Sequence, residues 1–359
     1  MAKHKVLVVD DSALMRRLLS AVLVADGFEV VTASNGEDGV ERLLEVQPDV
    51  VTLDINMPKM DGLTALSLMM AARPTPVVMV SSLTERGALA TLEALALGAV
   101  DYIEKPGGTI SLSIDEIAQS LCKKVRAAAV ARPRKVVAAQ KSVASRMAPR
   151  AAPAVAQAPA ASMKLASSTM PVVIVGVSTG GPRTLEDILP LLPANFPAAV
   201  LIAQHMPANF TYSFAQRMGR LCALPVHEVD VVMPLQAGHI YIAKGSADMV
   251  VQRKLGRLVA VPCAEAEQYP WHPSVDRLVE SAMQTLPAKQ IIGVQLTGMG
   301  NDGAESMARL YGAGGKTIAE SQSTAVVFGM PHELIQRRGA TVVLPAHSVA
   351  QQLRAWMHS

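Results

Sequence analysis

Aromatic side chains are scarce: they make up 3% of the chain, so Ala, Val, Leu and Met must fill its cores. Cysteine is scarcer still. Cys122, Cys222 and Cys263 stand alone, odd in number and without metal-ligand spacing, which excludes a disulfide framework and suits a reducing cytoplasm. No apolar run approaches the roughly 20 residues needed to span a bilayer, so membrane insertion is not expected. The start, Met1-Ala2-Lys3-His4, leads directly into a strand pattern, and no secretory leader is expected. Acidic residues are missing between Glu116 and Glu186, and seven of the 33 basic residues fall between 131 and 164. The other 26 are outnumbered by 30 acidic ones, so the net charge of +3 comes from one stretch and does not signal nucleic-acid binding.

What is present points to two domains, since 359 residues exceed one ordinary core. Between residues 6 and 126, strand-like runs (Val6–Val9, Glu29–Thr32, Val50–Leu53, Val77–Val80, Val100–Ile103) alternate with amphipathic stretches such as Ala13–Val24 and Glu37–Val46. Five βα repeats predict a doubly wound parallel sheet with ligands beyond the strands' carboxyl ends. The first strand ends in Asp10-Asp11, the third in Asp54 and the fourth in Ser81-Ser82, while Lys105-Pro106 follows the fifth. Carboxylates gathered at one edge repel unless a hard cation sits among them, and such a set favours Mg²⁺. A lysine and a hydroxyl nearby could hold further oxygens of a phosphoryl group.

These residues make the segment resemble a two-component receiver domain, expected over 4–126. The matching text is Val8-Val9-Asp10-Asp11-Ser12, Asp54-Ile55-Asn56-Met57-Pro58-Lys59-Met60-Asp61-Gly62, Val80-Ser81-Ser82 and Glu104-Lys105-Pro106. The resemblance implies that Asp54 accepts a phosphoryl group from a histidine kinase. It implies Mg²⁺ held by Asp10, Asp11, Asp54 and the Asn56 carbonyl. Ser81 becomes the switch hydroxyl (Ser82 remains an alternative), Tyr102 the switch aromatic and Lys105 the phosphate contact.

From 127 to 170 the sequence loses its period, and Ala, Pro, Arg, Lys, Gln and Ser dominate. Too little branched apolar surface is present to offset the entropy of ordering, so a flexible linker is expected.

A second domain is expected over 171–356. The run Pro171-Val172-Val173-Ile174-Val175 reads as a buried strand and leads into Gly176-Val177-Ser178-Thr179-Gly180-Gly181-Pro182. Glycines permit the sharp turn, and Pro182 suits a helix's first turn. The spacing Gly176-x-Ser178-x-Gly180 is that of a nucleophile elbow, although a phosphate-cradling or merely structural βα turn has the same composition. Ala198–Ala203 leads into Gln204-His205-Met206-Pro207, and Ile291–Leu296 into Thr297-Gly298-Met299-Gly300-Asn301-Asp302-Gly303. In a mainly parallel α/β fold, Ser178, His205 and Asp302 would meet at one sheet edge. A base would activate the hydroxyl and a carboxylate would fix the imidazole. Amides near Met299 and Thr179 could receive an oxyanion. Five other histidines (His227, His239, His272, His332, His347) compete, but only His205 follows a buried strand. Asp248 to Pro262 reads as an antiparallel hairpin turning at Leu255-Gly256-Arg257.

The domain closely resembles the catalytic domain of the chemotaxis protein-glutamate methylesterases, the CheB family. Its specific pieces are the Ser178 turn, Gln204-His205-Met206-Pro207, Pro273-Ser274-Val275-Asp276, the Thr297–Gly303 turn and Val326-Val327-Phe328-Gly329-Met330-Pro331. The resemblance implies the triad Ser178, His205 and Asp302, with the backbone amide of Met299 at the oxyanion. It implies hydrolysis of glutamyl γ-methyl esters on methyl-accepting chemotaxis receptors, deamidation of receptor glutamine, and no cofactor for that chemistry. A cytoplasmic monomer is expected, with a chemotaxis kinase as phosphodonor. Asn301 and Trp271-His272 depart from the family's usual text. The rival reading is a receiver-linked adaptor without catalysis. No helix-turn-helix follows the receiver, which argues against a transcription factor.

Overall fold

The computed structural model describes residues 4–82, 84–105, 114–131 and 170–357. Most of the expected linker, 132–169, lies outside the described residues, as does Pro106.

The first domain alternates β1 (Lys5–Val9), α1 (Ala13–Ala25), β2 (Glu29–Ala33), α2 (Gly36–Val46), β3 (Val50–Asp54), α3 (Gly62–Ala72), β4 (Val77–Ser81), α4 (Glu85–Leu97), β5 (Asp101–Glu104) and α5 (Ile114–Ala129). Its sheet is wholly parallel in the order 2-1-3-4-5. Chain direction across the sheet reverses between β1 and β3, and Asp10 and Asp54 sit at that switch point. Local signals set the helix ends: the Ser12 hydroxyl accepts from the Met15 amide, the Asp61 carboxylate accepts from Thr64, and Gly98 closes α4 at φ 114°.

The second domain opens with β6 (Val172–Val177), α6 (Gly181–Ile188), β7 (Ala199–Gln204) and α7 (Ala208–Leu221). It continues through β8 (Val226–Val229), β9 (Met233–Pro234), β10 (Ile240–Ala243), β11 (Asp248–Lys254), β12 (Arg257–Cys263) and α8 (Val275–Thr285). It ends with β13 (Ile291–Gln295), α9 (Ala304–Gly312), β14 (Lys316–Glu320), α10 (Met330–Gln336), β15 (Val342–Leu344) and α11 (Ala346–Met357). Seven parallel strands run 15-14-13-6-7-10-8, and β11, β12 and β9 form a separate antiparallel sheet. The first strand, β6, lies at the centre. Later strands add on one side through β7 and on the other through β13, so a second switch point opens between β6 and β13.

The two domains share a core. One buried cluster includes Ala88, Leu92 and Leu95 of α4 together with Phe210, Phe214 and Leu185 of α7 and α6. The Tyr102 ring of β5 lies 4.5 Å from that of Phe210, at 32°. Arg183 donates to the Ala96 carbonyl. Val326 and Val327 pack against the other cluster of the first domain, whose members include Ala128 of α5 and Ala131 just beyond it. The first domain therefore rests on the carboxyl edge of the seven-stranded sheet from two sides.

Tight backbone approach sets the turn after β6. A Cβ on Gly181 would fall 2.0 Å from Gln204 Oε1 and 2.7 Å from Val177 Cγ2. Gln204 cannot swing away freely, because its Nε2 donates to the carbonyls of Ser178 (3.0 Å) and His205 (3.1 Å). Gly181→Ala is expected to lower stability by about 1–3 kcal/mol through overpacking. The measurement is a lower denaturation midpoint at unchanged slope, and an unaltered midpoint would refute the close approach.

Candidate active site

Ser178 and His205 directly follow β6 and β7, Asp302 closes the loop that leaves β13, and parallel pairing brings those strand ends together. Gly176 pairs with Ala203 and with Gln295, which sets Ser178, His205 and Asp302 just beyond one edge. Ser178 is pinned by its amide, which donates to the Thr297 carbonyl at 2.9 Å. A Cβ on Gly298 would meet the Ser178 Cβ at 2.7 Å, so only glycine lets the two loops close. His205 Nε2 lies 2.8 Å from Asp302 Oδ2, and its side chain is 11% exposed. That pairing leaves Nδ1 as the ring nitrogen that a base toward Ser178 must use. Ser178, His205, Thr179 and Met299 line one cavity of about 620 Å³.

Asp302 is buried, yet it is well supplied with donors. Besides His205 it accepts from Val275 N at 2.7 Å, Asp276 N at 3.0 Å and Ser274 Oγ at 3.1 Å. Those three groups are the amino terminus of α8, where unpaired amides and the helix dipole favour an anion. Burial pushes the Asp302 carboxyl up, but the His205 contact and the two amides outweigh it and hold the carboxyl below its usual range. Asp248 anchors the preceding loop: it accepts from Ser274 N (2.7 Å), His272 Nδ1 (3.0 Å) and Arg277 (2.6 Å). This loop lays Trp271 parallel to His205, with ring centroids 6.2 Å apart.

Sequence reasoning gave no role to four residues at this site. Ser274 and Asp248 carry the Asp302 cradle, and the N-cap position of Ser274 before an amphipathic run was a readable signal. Gln204 ties the serine turn to the histidine turn. Asp101, from the first domain, gave no signal at all: its Oδ2 accepts from Thr179 Oγ1 at 2.6 Å, beside Ser178. Lys124 Nζ, 3.0 Å from Asp101 Oδ1, balances its charge. Burial pushes the Cys122 thiol up to about 11 and the Cys222 thiol to about 12.

In the receiver, Asp10, Asp11 and Asp54 offer oxygens within 4.8 Å of one another, with Asp10 and Asp54 buried and Asp11 exposed. Lys105 Nζ lies 2.8 Å from Asp54 and 3.1 Å from Asp10. Burial pushes the Asp54 carboxyl up against the pull of Lys105. The oxygen-only donors, clustered around one cationic side chain, fit a small hard cation. The Asn56 amide approaches Asp54 Oδ1 at 3.4 Å. Ser81 is buried and accepts from Thr91 Oγ1 at 2.8 Å, whereas Ser82 faces Thr84 near the surface. Tyr102 is turned inward against Phe210.

A serine, a histidine and an aspartate at the carboxyl edge of a parallel sheet, beneath a second α/β domain, define a class, and comparison with known proteins gives the family. Residues 173–353 match the CheB methylesterase family and residues 6–114 the response regulator receiver domain. The catalytic half resembles the crystal structure of the Thermotoga maritima CheB methylesterase catalytic domain, with 36% identity and a TM-score of 0.50 over 51% of this chain and 97% of that one. A Rhodospirillum rubrum protein named protein-glutamate methylesterase/protein-glutamine glutaminase 3 is 54% identical over 98% of this chain and 96% of its own. A similarly named Carboxydothermus hydrogenoformans protein is 45% identical over 98% and 99%. The chain belongs to the CheB methylesterase family.

Asp302→Asn is expected to keep the fold but lower kcat by about 10⁴-fold, if the loss seen on amidating the orienting aspartate of trypsin carries over. A loss below about tenfold would assign the orienting role to another acid. The sign with pH follows from the lowered carboxyl. Its stabilisation is full above the unfolded value of about 3.9 and is lost as pH falls through the folded value. The stability gap between wild type and Asp302→Asn should therefore close on acidification, as measured by denaturant titration across pH.

Proposed function

We propose that this chain is a phosphorylation-controlled serine hydrolase acting on glutamyl γ-methyl esters of chemotaxis receptors and on receptor glutamines. The observation that carries this reading is the His205–Asp302 pair at 2.8 Å in the cavity that Ser178 also lines. His205 takes the Ser178 proton as Oγ attacks the ester carbonyl, and Asp302 steadies the imidazolium. The amides of Met299 and Thr179 receive the developing oxyanion. Collapse of the tetrahedral intermediate breaks the C–O bond to the methoxy group, which leaves as methanol with the proton from His205. Water, deprotonated by the same imidazole, then hydrolyses the acyl-enzyme to glutamate. A glutamine amide follows the same course and leaves as ammonia. A non-catalytic adaptor would have no use for a buried carboxylate held against a histidine beside Ser178.

Asp54 is the proposed acceptor of a phosphoryl group from a chemotaxis histidine kinase, with Lys105 contacting the phosphate and Ser81 and Tyr102 responding. Asp10, Asp11, Asp54 and the Asn56 carbonyl would hold Mg²⁺, which when bound neutralises charge on the phosphoryl oxygens. A cytoplasmic monomer that does not bind nucleic acid is the proposed setting; among the described residues no helix is long and apolar enough to cross a membrane.

Control follows from position. The receiver's Asp101 holds Thr179, and β5 and α5 line the same cavity as Ser178. A substrate reaching Ser178 meets the receiver first, so the unphosphorylated receiver restrains the esterase and phosphorylation shifts it away. Residues 127–170 would keep it tethered at high effective concentration.

Methanol release from methylated receptor membranes should vanish in Ser178→Ala. Persistence of release would remove the serine from the chemistry. Acetyl phosphate with Mg²⁺ should label the wild type but not Asp54→Asn, and should accelerate only the chain that can be labelled. A fragment beginning near Ser168 should run faster than the unphosphorylated full chain; equal rates would leave the receiver a targeting device.

A further inference from the structure

One wall of the cavity that Ser178 lines is aromatic: the half-buried Trp271 borders it together with Ser178, His205 and Met299. The indole and the His205 imidazole are parallel to within 1°, with centroids 6.2 Å apart. That separation exceeds the roughly 6 Å reach of a cation–π contact, so the indole borders His205 rather than holding its charge. It is the separation of an offset stack, in which the imidazole leaves part of the indole surface uncovered. The six-membered ring of the indole also abuts the turn that carries Met299. A Cβ on Gly300 would fall 2.8 Å from Trp271 Cζ2 and 3.4 Å from Cη2. Trp271 therefore spans two groups that handle a substrate's departing substituent, the base on one side and the oxyanion turn on the other. The indole is also held in place. Two residues before it the Tyr269 hydroxyl donates to Glu280 Oε2 at 2.6 Å, and the next residue, His272, pairs with Asp248 Oδ1 at 3.0 Å.

We propose that Trp271 is a specificity residue: its uncovered indole surface receives the methyl group of the ester as it departs, and so tilts the site toward the methyl ester and away from glutamine. The proposal rests on the reading of Ser178, His205 and Asp302 as a hydrolytic triad. A tetrahedral intermediate holds its substituents apart. One is Ser178 Oγ, and the anionic oxygen turns to the Met299 amide. The leaving oxygen must lie within hydrogen-bond reach of His205, which protonates it. As the C–O bond breaks, its electron pair stays on the methoxy oxygen, which takes the proton from His205 and departs as methanol. The methyl carbon on that oxygen therefore sits beside His205, and Trp271 is the apolar surface that borders both His205 and the Met299 turn. Covering a methyl group with indole carbon removes apolar surface from water and favours the ester. A glutamine places an NH₂ group there instead. Its N–H donors lose water, and the indole carbons return no acceptor, which disfavours the amide. One wall thus acts in opposite senses on the two substrates, and specificity is the difference.

The test reads a ratio, kcat/KM for methanol release over kcat/KM for ammonia release. The full-length chain is treated with acetyl phosphate and given receptor membranes that carry glutamyl methyl esters or glutamines. Damage to the fold, the triad or the restraint affects both products alike and cancels. Trp271→Ala should lower the ratio about fourfold, the discrimination that one buried methyl group provides. Trp271→Gln offers the departing nitrogen a hydrogen-bond partner and should lower it further, by about tenfold. Trp271→Phe restores a flat apolar wall and should keep the ratio within twofold of wild type, whatever it does to either rate. A ratio within twofold of wild type in both the alanine and the glutamine variants would overturn the proposal, because an indole that only supports the loop slows both reactions equally. Should the alanine variant fail to fold, equal ratios in the glutamine and phenylalanine variants would overturn it on their own. Failure of the underlying reading looks different: methanol and ammonia release would then survive in Ser178→Ala.

Discussion

A buried carboxylate must be neutralised where it lies, and Asp302 is the point on which this site depends. Four donors converge on it: the imidazole of His205, the Ser274 hydroxyl and the amides of Val275 and Asp276. Removing solvent from an ion costs several kcal/mol unless hydrogen bonds replace it. The amino terminus of α8 supplies most of that replacement. Asp248, itself buried and paired with His272 and Arg277, fixes the loop that aims it. The His205 ring is thereby held by a rigid partner, and the Ser178 turn is built around a fixed direction.

Parallel sheets make such convergence inexpensive in chain terms. β6, β7 and β13 contribute one residue each, and their register places the three at the switch point between β6 and β13. The receiver repeats the same device at β1 and β3, where Asp10 and Asp54 meet Lys105. Two switch points, one edged by carboxylates and a lysine and one by Ser178, His205 and Asp302, thus lie in one chain. The link between them runs through β5 and its neighbours, with Tyr102 on Phe210 and Asp101 on Thr179. A charge change at Asp54 needs to cross only the width of a small sheet to reach the esterase surface.

Much was legible from residues alone. The strands are short, β-branched runs ending in chemistry-bearing residues, so the alternation of strand and helix and the parallel order of both domains could be read directly. Ser178, His205, Asp302, Asp10, Asp54 and Lys105 could be singled out because each follows a buried strand, where a parallel sheet gathers ligands. The hairpin turning at Leu255-Gly256 could also be read, since glycine between two β-branched runs carries its own turn signal. The partner strand β9, two residues long, could not, because so short a run has no period.

What the amino-acid order settled by itself is therefore local: which stretches form strands, where they end, and which polar side chains stand at those ends. The tertiary structure alone decided what those ends face. Asp101 is an ordinary strand residue by sequence, and it became a contact of Thr179, next to Ser178, because two sheets docked across 78 positions of chain. Ser274 and the α8 amides became the support of Asp302 because a loop anchored by Asp248 folded over it. Val326 and Val327 became a cover for α5 for the same reason. Contacts between distant segments depend on the packing of whole surfaces, and no periodicity or spacing within one segment encodes them.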